Sequence, residues 1–467
     1  MTVSDLVIRN TRIVTPEGEV AGDLAVAGGR IAALGEGLPA GREEVDGRGL
    51  ILLPGGIDSH CHIAQRAIAG ETPCPDDFTA ATRAAAAGGV TTVISHSMCG
   101  VAEDPETVLA EYLAQAAGRA LVDYSVHLQL GTADPGFLAE GLPRLADQGF
   151  TSLKLFTTYA GYALDDAQVL AILDAAARLG LLCLVHAEDD ALIRFFRVRE
   201  AAAGRDGLAV QAAIRPIAVE AEMIRRIGTY AKATGARVHV FHVSGAQAVA
   251  ALAAAAAQGA AISGETCPHY LTFTADDLER PGFEGAKFIV SPALRTAADQ
   301  AALWAALAGG ALSVWSSDHS PQKRLAQIAA ARATGVGPYT AFSGGMPGLQ
   351  TLLPVLFSEG VMAGRITLRR FVELTAAAPA ALFGLGGRKG VLAPGADADL
   401  VLWDPEARWT VRQADMLSNV DFTPWEGMAM TGKPVLTVSR GRIVARNGQV
   451  DPGAVGHGAL LRRGRVQ

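Results

Sequence analysis

Ionisable side chains stand near the ends of several short apolar runs in this sequence. His60 and His62 lie two residues apart in GGIDSHCH, which begins at Gly55. Side chains two residues apart on a strand point to the same face, so both imidazoles can reach one ion. Two imidazoles in this arrangement suit a zinc-type cation, although many HxH pairs are surface residues with no such role.

Further candidates follow at the ends of later apolar runs. His186 ends LLCLVH, His242 follows RVHVF, and Asp318 lies in WSSDHS. Imidazoles and a carboxylate meeting at one place predict a metal centre. Glu188 and Asp189 come directly after His186 and either support such ligands or belong to a solvated loop.

Lys154 stands between Leu153 and Leu155 in what reads as a buried strand. Burying an ammonium group costs several kcal/mol unless it is neutralised or paired. A neutral amine can take up carbon dioxide and become a carbamate, whose two oxygens can bridge two cations about 3.5–4 Å apart. The alternative is that Lys154 faces outward and extends its amine to solvent, and the alternation of the strand leaves both readings open.

These residues can form one metal centre only if they lie on strands whose ends meet in space. Short β-like runs alternate with Ala-rich helical stretches along the middle of the chain. This rhythm predicts an α/β fold, a (β/α)8 TIM-like barrel whose strands all end at one mouth. A doubly wound open sheet ranks lower because no GxGxxG follows the first strand. The runs are LLPGGIDSH, GVTTVISHS, VDYSVHLQL, FTSLKLFTT, LLCLVHAED, RVHVFHVSG, AAISGETCPH and ALSVWSSDH.

The two ends of the chain resemble each other. RIVTPEGEV, from Arg12 to Val20, matches RIVARNGQV, from Arg442 to Val450, and both read as strand, turn and strand. We therefore expect a small β-sandwich domain built from both termini, with the barrel inserted between them. The predicted limits are 1–54 and 389–467 for the β-sandwich and 55–388 for the barrel.

Composition excludes several classes of protein. The 467 residues are 50% hydrophobic and carry a net charge of −7, so we expect no nucleic-acid partner. The basic residues cluster only between Leu460 and Gln467, which we expect to be a solvated chain end. No apolar run is long enough to cross a membrane, so no membrane association is expected. The five cysteines form no CxxC pair, which fits a reduced, cytoplasmic protein.

A set of motifs between residues 54 and 428 resembles the hydantoinase and dihydropyrimidinase group of cyclic amidohydrolases. The resemblance covers nearly the whole chain. It implies hydrolysis of a C–N bond in a small cyclic amide, two divalent metal ions, carbon dioxide to carboxylate Lys154, and a homotetramer. Zinc is the expected metal, and manganese or cobalt would accept the same ligands. The motifs are PGGIDSHCH, SLKLFTTY, VHAED, HVSG, ETCPHYL, SPALR, SDHSP, GGMPGLQTLLP and DFTPWEGM.

The same resemblance implies roles for individual residues. The two ions would lower the pKa of a shared water, and the resulting hydroxide would attack the ring carbonyl. Asp318 would take the proton and deliver it to the leaving nitrogen, while Tyr159 would donate to the developing oxyanion. The main chain at Ser291 and Gly344 would contact the substrate. One ion would be held by His60, His62, carboxylated Lys154 and Asp318, and the other by Lys154, His186 and His242.

Other activities stay open from the sequence. Gly344 stands where hydantoinases commonly have Asn, and GGMPGLQ also resembles allantoinases, so an allantoinase or a cyclic imidase is an alternative. Dihydroorotases usually place an Arg shortly after HxH, whereas this chain reads HCHIAQ with Arg66 displaced. A non-catalytic scaffold protein of the dihydropyrimidinase-like type would have lost metal ligands, and all six candidates are present here.

Overall fold

The computed structural model of the protein describes residues 3–66 and 73–465. The N-terminal part folds into five short strands that precede the barrel. The strand β1 pairs antiparallel with β2 and parallel with β4 and β5, and β2 pairs antiparallel with β3. These strands are β1 (Leu6–Thr15), β2 (Gly18–Ala27), β3 (Arg30–Gly35), β4 (Glu43–Asp46) and β5 (Ile51–Pro54).

Eight parallel strands then form the barrel, in which each strand pairs with the next one along the chain. The first and the last of them meet through a bridge between Cys61 and His319, and the amide of His62 donates to the carbonyl of His319 at 2.7 Å. The predicted (β/α)8 barrel is therefore confirmed. The strands are β6 (Gly56–Cys61), β7 (Val90–Ser97), β8 (Asp123–Gln129), β9 (Ser152–Phe156), β10 (Leu182–His186), β11 (Arg237–Val240), β12 (Ile262–Thr266) and β13 (Val314–Trp315).

The C-terminal part returns to the first sheet. The strand β14 pairs antiparallel with β5, with Leu400 opposite Pro54 and Trp403 opposite Ile51. The two chain termini thereby share one nine-stranded mixed sheet, which confirms that both build the β domain. The added strands are β14 (Leu400–Thr410), β15 (Ala429–Ser439), β16 (Arg442–Arg446) and β17 (Gln449–Val450).

Helices follow most barrel strands and cover the outside of the barrel. None of those in the described residues is both long enough and apolar enough to cross a membrane. They are α1 (Phe78–Ala87), α2 (Pro105–Ala116), α3 (Leu142–Asp147), α4 (Asp166–Leu179), α5 (Asp190–Ala202), α6 (Val210–Ala213), α7 (Ile217–Thr234), α8 (Ala246–Ala257), α9 (Pro268–Thr272), α10 (Ala297–Gly309), α11 (Leu325–Thr334), α12 (Leu352–Leu356), α13 (Leu368–Val372) and α14 (Ala378–Leu382).

Local sequence explains where the helix α4 begins and ends. Asp165 and Gln168 form a reciprocal capping box at its start, and Gly180 adopts a left-handed conformation at its end. The buried residues recur at three- and four-residue spacing and place one apolar stripe on the barrel. These residues are Val169, Ile172, Leu173 and Ala176, and Ala175 beside them is buried as well.

The segment that begins at Leu460 is only partly solvated: Arg462, Gly464 and Arg465 are exposed, as expected, whereas two of its residues are buried. Leu461 is fully buried, and Arg463 is 3% exposed against the barrel. The Arg463 guanidinium donates to Ser125 Oγ at 2.9 Å and to Ser152 Oγ at 2.7 Å. Sequence suggested solvent because arginine is ordinarily exposed, but here hydroxyl groups on two barrel strands accept hydrogen bonds from two of its nitrogens.

Candidate active site

All six predicted metal ligands face one cavity at the C-terminal end of the barrel. The cavity has a volume of about 220 Å³ and is lined by every one of them. Each comes from or just beyond a barrel strand, so the parallel strands bring distant parts of the sequence together. The six are His60 and His62 at the end of β6, Lys154 on β9, His186 on β10, His242 after β11 and Asp318 after β13.

The first group of donors is centred on Asp318. Its Oδ1 lies 3.3 Å from Nε2 of His60 and 3.3 Å from Nε2 of His62. The other ring nitrogens are engaged, because Nδ1 of His60 lies 2.6 Å from a Glu265 oxygen and Nδ1 of His62 lies 2.6 Å from Oε1 of Gln65. Both Nε2 atoms are thereby left facing the carboxylate as available ligands.

His186 and His242 form the second group. Their ring centroids are 4.5 Å apart. Nε2 of His186 lies 2.7 Å from Oε2 of Glu188, so its Nδ1 is left for the cavity. Nδ1 of His242 is buried and has no hydrogen-bond partner in the described part of the chain. A buried polar atom without a partner costs about 1–3 kcal/mol, which suits a position completed by a bound cation.

Lys154 points into the barrel and is 1% exposed, which excludes the alternative that it extends to solvent. Its Nζ lies 4.1 Å from the ring centroid of Phe241 and 4.6 Å from that of Phe156. Burial lowers the pKa of Lys154 to about 7, against the opposing effect of Asp318 and Glu265. Near neutral pH a large share of the amine is therefore uncharged, the form that can react with carbon dioxide.

The protonation of the histidines also fits a metal centre. Burial, and after it the nearby Lys154, holds the pKa of His60 well below its ordinary value. Burial and the neighbouring His186 do the same to the pKa of His242. Neutral imidazoles are the form that binds metal ions, so this set of donors fits divalent cations.

Three of the candidate residues have left-handed backbone conformations, which side chains other than glycine rarely adopt. The φ angles are 81° at Tyr159, 42° at His242 and 44° at Asp318. Such a conformation costs on the order of 1–3 kcal/mol and persists only where the surroundings impose it. The clustering of these conformations at the cavity is typical of a functional site.

The candidate substrate-binding residues line the same cavity. Tyr159, Ser291 and Gly344 all contribute to its wall. Gln211 donates to Ser291 Oγ at 3.0 Å and to the carbonyl of Val290 at 3.1 Å, which fixes the loop that carries Ser291. A Cβ on Gly344 would lie 3.8 Å from Ser291 Oγ, so the two loops approach each other across the cavity.

Glu188 belongs to a buried charge network, not to a solvated loop. It is ion-paired with Arg215, which is 5% exposed and also lines the cavity. Burial acts to raise the pKa of Glu188, but Arg215 and His186 outweigh that effect and the net shift is downward. Glu188 is therefore ionised while it accepts from His186, and it orients that ring.

Sequence reasoning did not identify Glu265, Arg215 or Gln65 as parts of this site. Glu265 lies near the end of β12. The same strand-end position that identified the histidines could therefore have identified Glu265. Arg215 and Gln65 lie outside the barrel strands, and no local pattern marked them. Arg215 contacts Glu188 across 27 positions, whereas Gln65 lies only three residues after its partner His62.

The sequence and the fold of this chain are similar to those of known proteins. The model of the amidohydrolase family matches residues 51–444. The chain is 37% identical to a D-hydantoinase of Geobacillus stearothermophilus over 98% of this chain and 96% of the relative. It is 36% identical to a D-phenylhydantoinase of Escherichia coli O9:H4 (strain HS), over 98% of each chain. The crystal structure of dihydropyrimidinase from Brevibacillus agri NCHU1002 is similar, with a TM-score of 0.94, 36% identity and 99% of each chain covered.

Proposed function

The chain belongs to the amidohydrolase family, and from that membership we propose that it hydrolyses a C–N bond in cyclic amides and ureides of the hydantoin or dihydropyrimidine type. The observation that carries this proposal is the convergence of four imidazoles, one carboxylate and one buried amine on a single cavity. The substrate class is supported by the names of the similar proteins, which are hydantoinases and a dihydropyrimidinase.

Two divalent ions complete the proposed site. When bound, they lower the pKa of a water molecule and polarise the carbonyl that it attacks. Zinc is the metal we propose, because neutral imidazole and carboxylate ligands suit it, and manganese or cobalt would bind the same set. We assign one ion to His60, His62, Lys154 and Asp318, and the other to Lys154, His186 and His242.

Carboxylation of Lys154 is part of this proposal. The neutral amine forms a C–N bond to carbon dioxide and loses one proton to solvent, which leaves a carbamate anion. The step needs no oxidant or reductant. Its support is the buried position of Lys154, which forms no ion pair within residues 3–66 and 73–465 and lines the cavity together with both groups of donors. An anion between two cations is well paired, where a bare ammonium group would not be.

The remaining steps belong to side chains of the cavity wall. Asp318 accepts the proton of the attacking water and then transfers it to the leaving nitrogen, so that the ring opens. The hydroxyl of Tyr159 donates to the oxygen that gains negative charge. The main chain at Ser291 and Gly344 binds the ring amide and sets its orientation.

A substrate panel tests the proposal. The purified, zinc-loaded protein is assayed for ring opening of dihydrouracil, hydantoin, a 5-substituted hydantoin, allantoin, dihydroorotate and succinimide, with the Asp318→Asn variant as the control. We expect turnover of hydantoin or dihydrouracil. Turnover of allantoin alone would favour the allantoinase alternative raised by GGMPGLQ, and turnover of succinimide alone a cyclic imidase. No turnover of any ring by a fully loaded protein would contradict the proposal and favour the scaffold alternative.

Assembly and location are further proposals. We propose a homotetramer, supported by the family resemblance, and light scattering of the purified protein tests it. We propose a cytoplasmic location, supported by the absence of any disulfide among the five cysteines that the structure describes. The partner that we propose for the cavity is a small cyclic amide.

A further inference from the structure

Asp318 is held between two residues that are themselves fixed by buried carboxylates. Its φ angle of 44° lies in the left-handed region, which costs a residue other than glycine about 1–2 kcal/mol. The residues on either side, Ser317 and His319, are each 1% exposed. The contacts of Ser317 and His319 therefore determine where the Asp318 carboxylate lies.

Asp58 fixes the preceding residue. It lies on β6, two residues before His60, and it is fully buried. Its Oδ1 accepts from the amide of Ser317 at 3.1 Å, and its Oδ2 accepts from the hydroxyl of the same residue. The hydroxyl oxygen of Ser317 in turn accepts from the amide of His319 at 2.9 Å, which spans Asp318 with one hydrogen bond.

Asp76 fixes the following residue. Nε2 of His319 donates to Oδ2 of Asp76 at 2.9 Å, while Nδ1 accepts from the amide of Gly348 at 3.1 Å. Asp76 also accepts from the hydroxyl of Ser418 and from the amide of Asn419, which lie between β14 and β15. The His319 ring is thus bonded on both sides, and the terminal β domain supports it from outside the barrel.

We infer that Asp58 and Asp76 are positioning residues that clamp Asp318 in the orientation in which its carboxylate meets His60 and His62. This inference rests on the proposed function. Both carboxylates come from β6 or the segment that follows it, the part of the chain that also carries the two histidines. The clamp therefore ties Asp318 to the residues with which it shares an ion.

Direct metal binding does not explain these carboxylates. Both oxygens of Asp58 are occupied by Ser317, and both oxygens of Asp76 accept hydrogen bonds from side chains or amides of the protein. The donor atoms that lie within 4.8 Å of one another at the cavity are those of His60, His62 and Asp318. Asp58 and Asp76 act behind that group, through the backbone of the Asp318 segment.

The test uses the full-length protein loaded with Co²⁺ and three variants: Asp58→Asn, Asp76→Asn and Asp421→Asn. Asp421 is the matched control, because its carboxylate accepts from the amides of Arg324 and Leu325 at 2.8 and 3.1 Å, farther along the same segment. The measurements are the rate of Co²⁺ loss to a chelator, kcat and KM, and the melting temperature.

We expect Asp58→Asn and Asp76→Asn to lose one of the two ions about 10–100-fold faster and to lower kcat by a similar factor, as loss of groups that orient metal ligands usually does. KM should change less than about threefold, and Asp421→Asn should match the wild type in ion loss and kcat. A lower melting temperature with a wild-type rate of ion loss would show that the replaced residue only stabilises the fold.

Wild-type rates of ion loss in both clamp variants would overturn the inference, whatever their melting temperatures. If a clamp variant does not fold, Ser317→Ala replaces it, because that change removes the hydroxyl that joins Asp58 to His319. Ion loss is measured without substrate. If the wild-type protein opens no ring, the proposed function is refuted. The rate of ion loss would still show whether Asp58 and Asp76 hold Asp318 in place.

Discussion

Nδ1 of His60 lies 2.6 Å from Oε1 of Glu265, and both side chains are at most 1% exposed. This contact joins the first barrel strand to the seventh. It leaves Nε2 of His60 as the nitrogen directed at Asp318, 3.3 Å away. A carboxylate behind a histidine in this way raises the basicity of the ring and fixes its orientation.

Replacing Glu265 with Gln should weaken binding of the ion held by His60 about 10–100-fold, because the ring loses its charged partner. Competition against a chelating dye measures the affinity. Glu279→Gln is the control, because Glu279 is an exposed residue outside the cavity lining. An unchanged affinity in Glu265→Gln would show that the contact does not tune the site.

Replacing Lys154 with Ala should remove most of the bound metal, because the carbamate anion that would help to hold both ions is lost. Metal content after gel filtration measures this loss. Adding a short-chain carboxylic acid should restore part of the binding by supplying the missing oxygens. Two ions retained per chain without any added acid would refute the proposed carbamate bridge.

Replacing Asp318 with Asn should leave the fold intact and lower kcat by about 10²–10⁴-fold, the usual contribution of a general base or acid. The isosteric amide keeps the shape of the side chain but cannot accept the proton. Circular dichroism verifies the fold, and ring opening of the best substrate gives kcat. Near-normal turnover would remove Asp318 from the role of base.

Carbon dioxide uptake should depend on pH with a midpoint near the pKa of Lys154, about 7. Burial lowers this pKa, so the amine is mainly protonated below pH 7 and mainly neutral above it, and only the neutral form reacts. At equal concentrations of dissolved carbon dioxide, reconstitution of metal-free protein with zinc should be about tenfold more extensive in its initial phase at pH 8 than at pH 6.

Activity recovered at early times reports the reconstitution, and binding of ¹³C-labelled bicarbonate reports the carbamate directly. Preloaded protein carried through the same pH steps controls for effects on turnover. A rate of reconstitution that does not change between pH 6 and pH 8 would contradict the proposed requirement for a neutral amine.

Replacing Leu461 with Ala should lower the free energy of unfolding by about 2–5 kcal/mol, because the side chain is fully buried against the barrel. Val455→Ala, at a residue that is 44% exposed, should cost less than about 0.5 kcal/mol. Denaturant titration of the two variants compares them. Equal stability would mean that the C-terminal segment contributes little to the barrel.

The barrel and the six donors were predictable because they follow local rules. Apolar runs separated by helical stretches marked the strands, and polar residues at their ends marked the cavity. Lys154 was ambiguous because strand alternation fixes which neighbours share a face but not which face is inside. Only the packed barrel showed that Lys154 and Phe156 point inward, since both line the cavity.

The supporting residues were not predictable in the same way. No local motif marks Asp76, because its partners His319, Ser418 and Asn419 lie more than two hundred positions farther along the chain. Arg463 likewise depends on hydroxyl groups from two distant strands. Such contacts exist only after the fold has assembled, and no spacing in the sequence encodes them.

The pairing of β5 with β14 has a consequence for synthesis on the ribosome. Ile51 and Pro54 pair with Trp403 and Leu400, which are translated after the barrel. One edge of β5 therefore has no partner until the whole barrel has been translated. An open strand edge is a site of aggregation in a nascent chain. The protein must therefore protect its first sheet through most of its own translation, and premature termination within the barrel would release a chain with an exposed sheet edge.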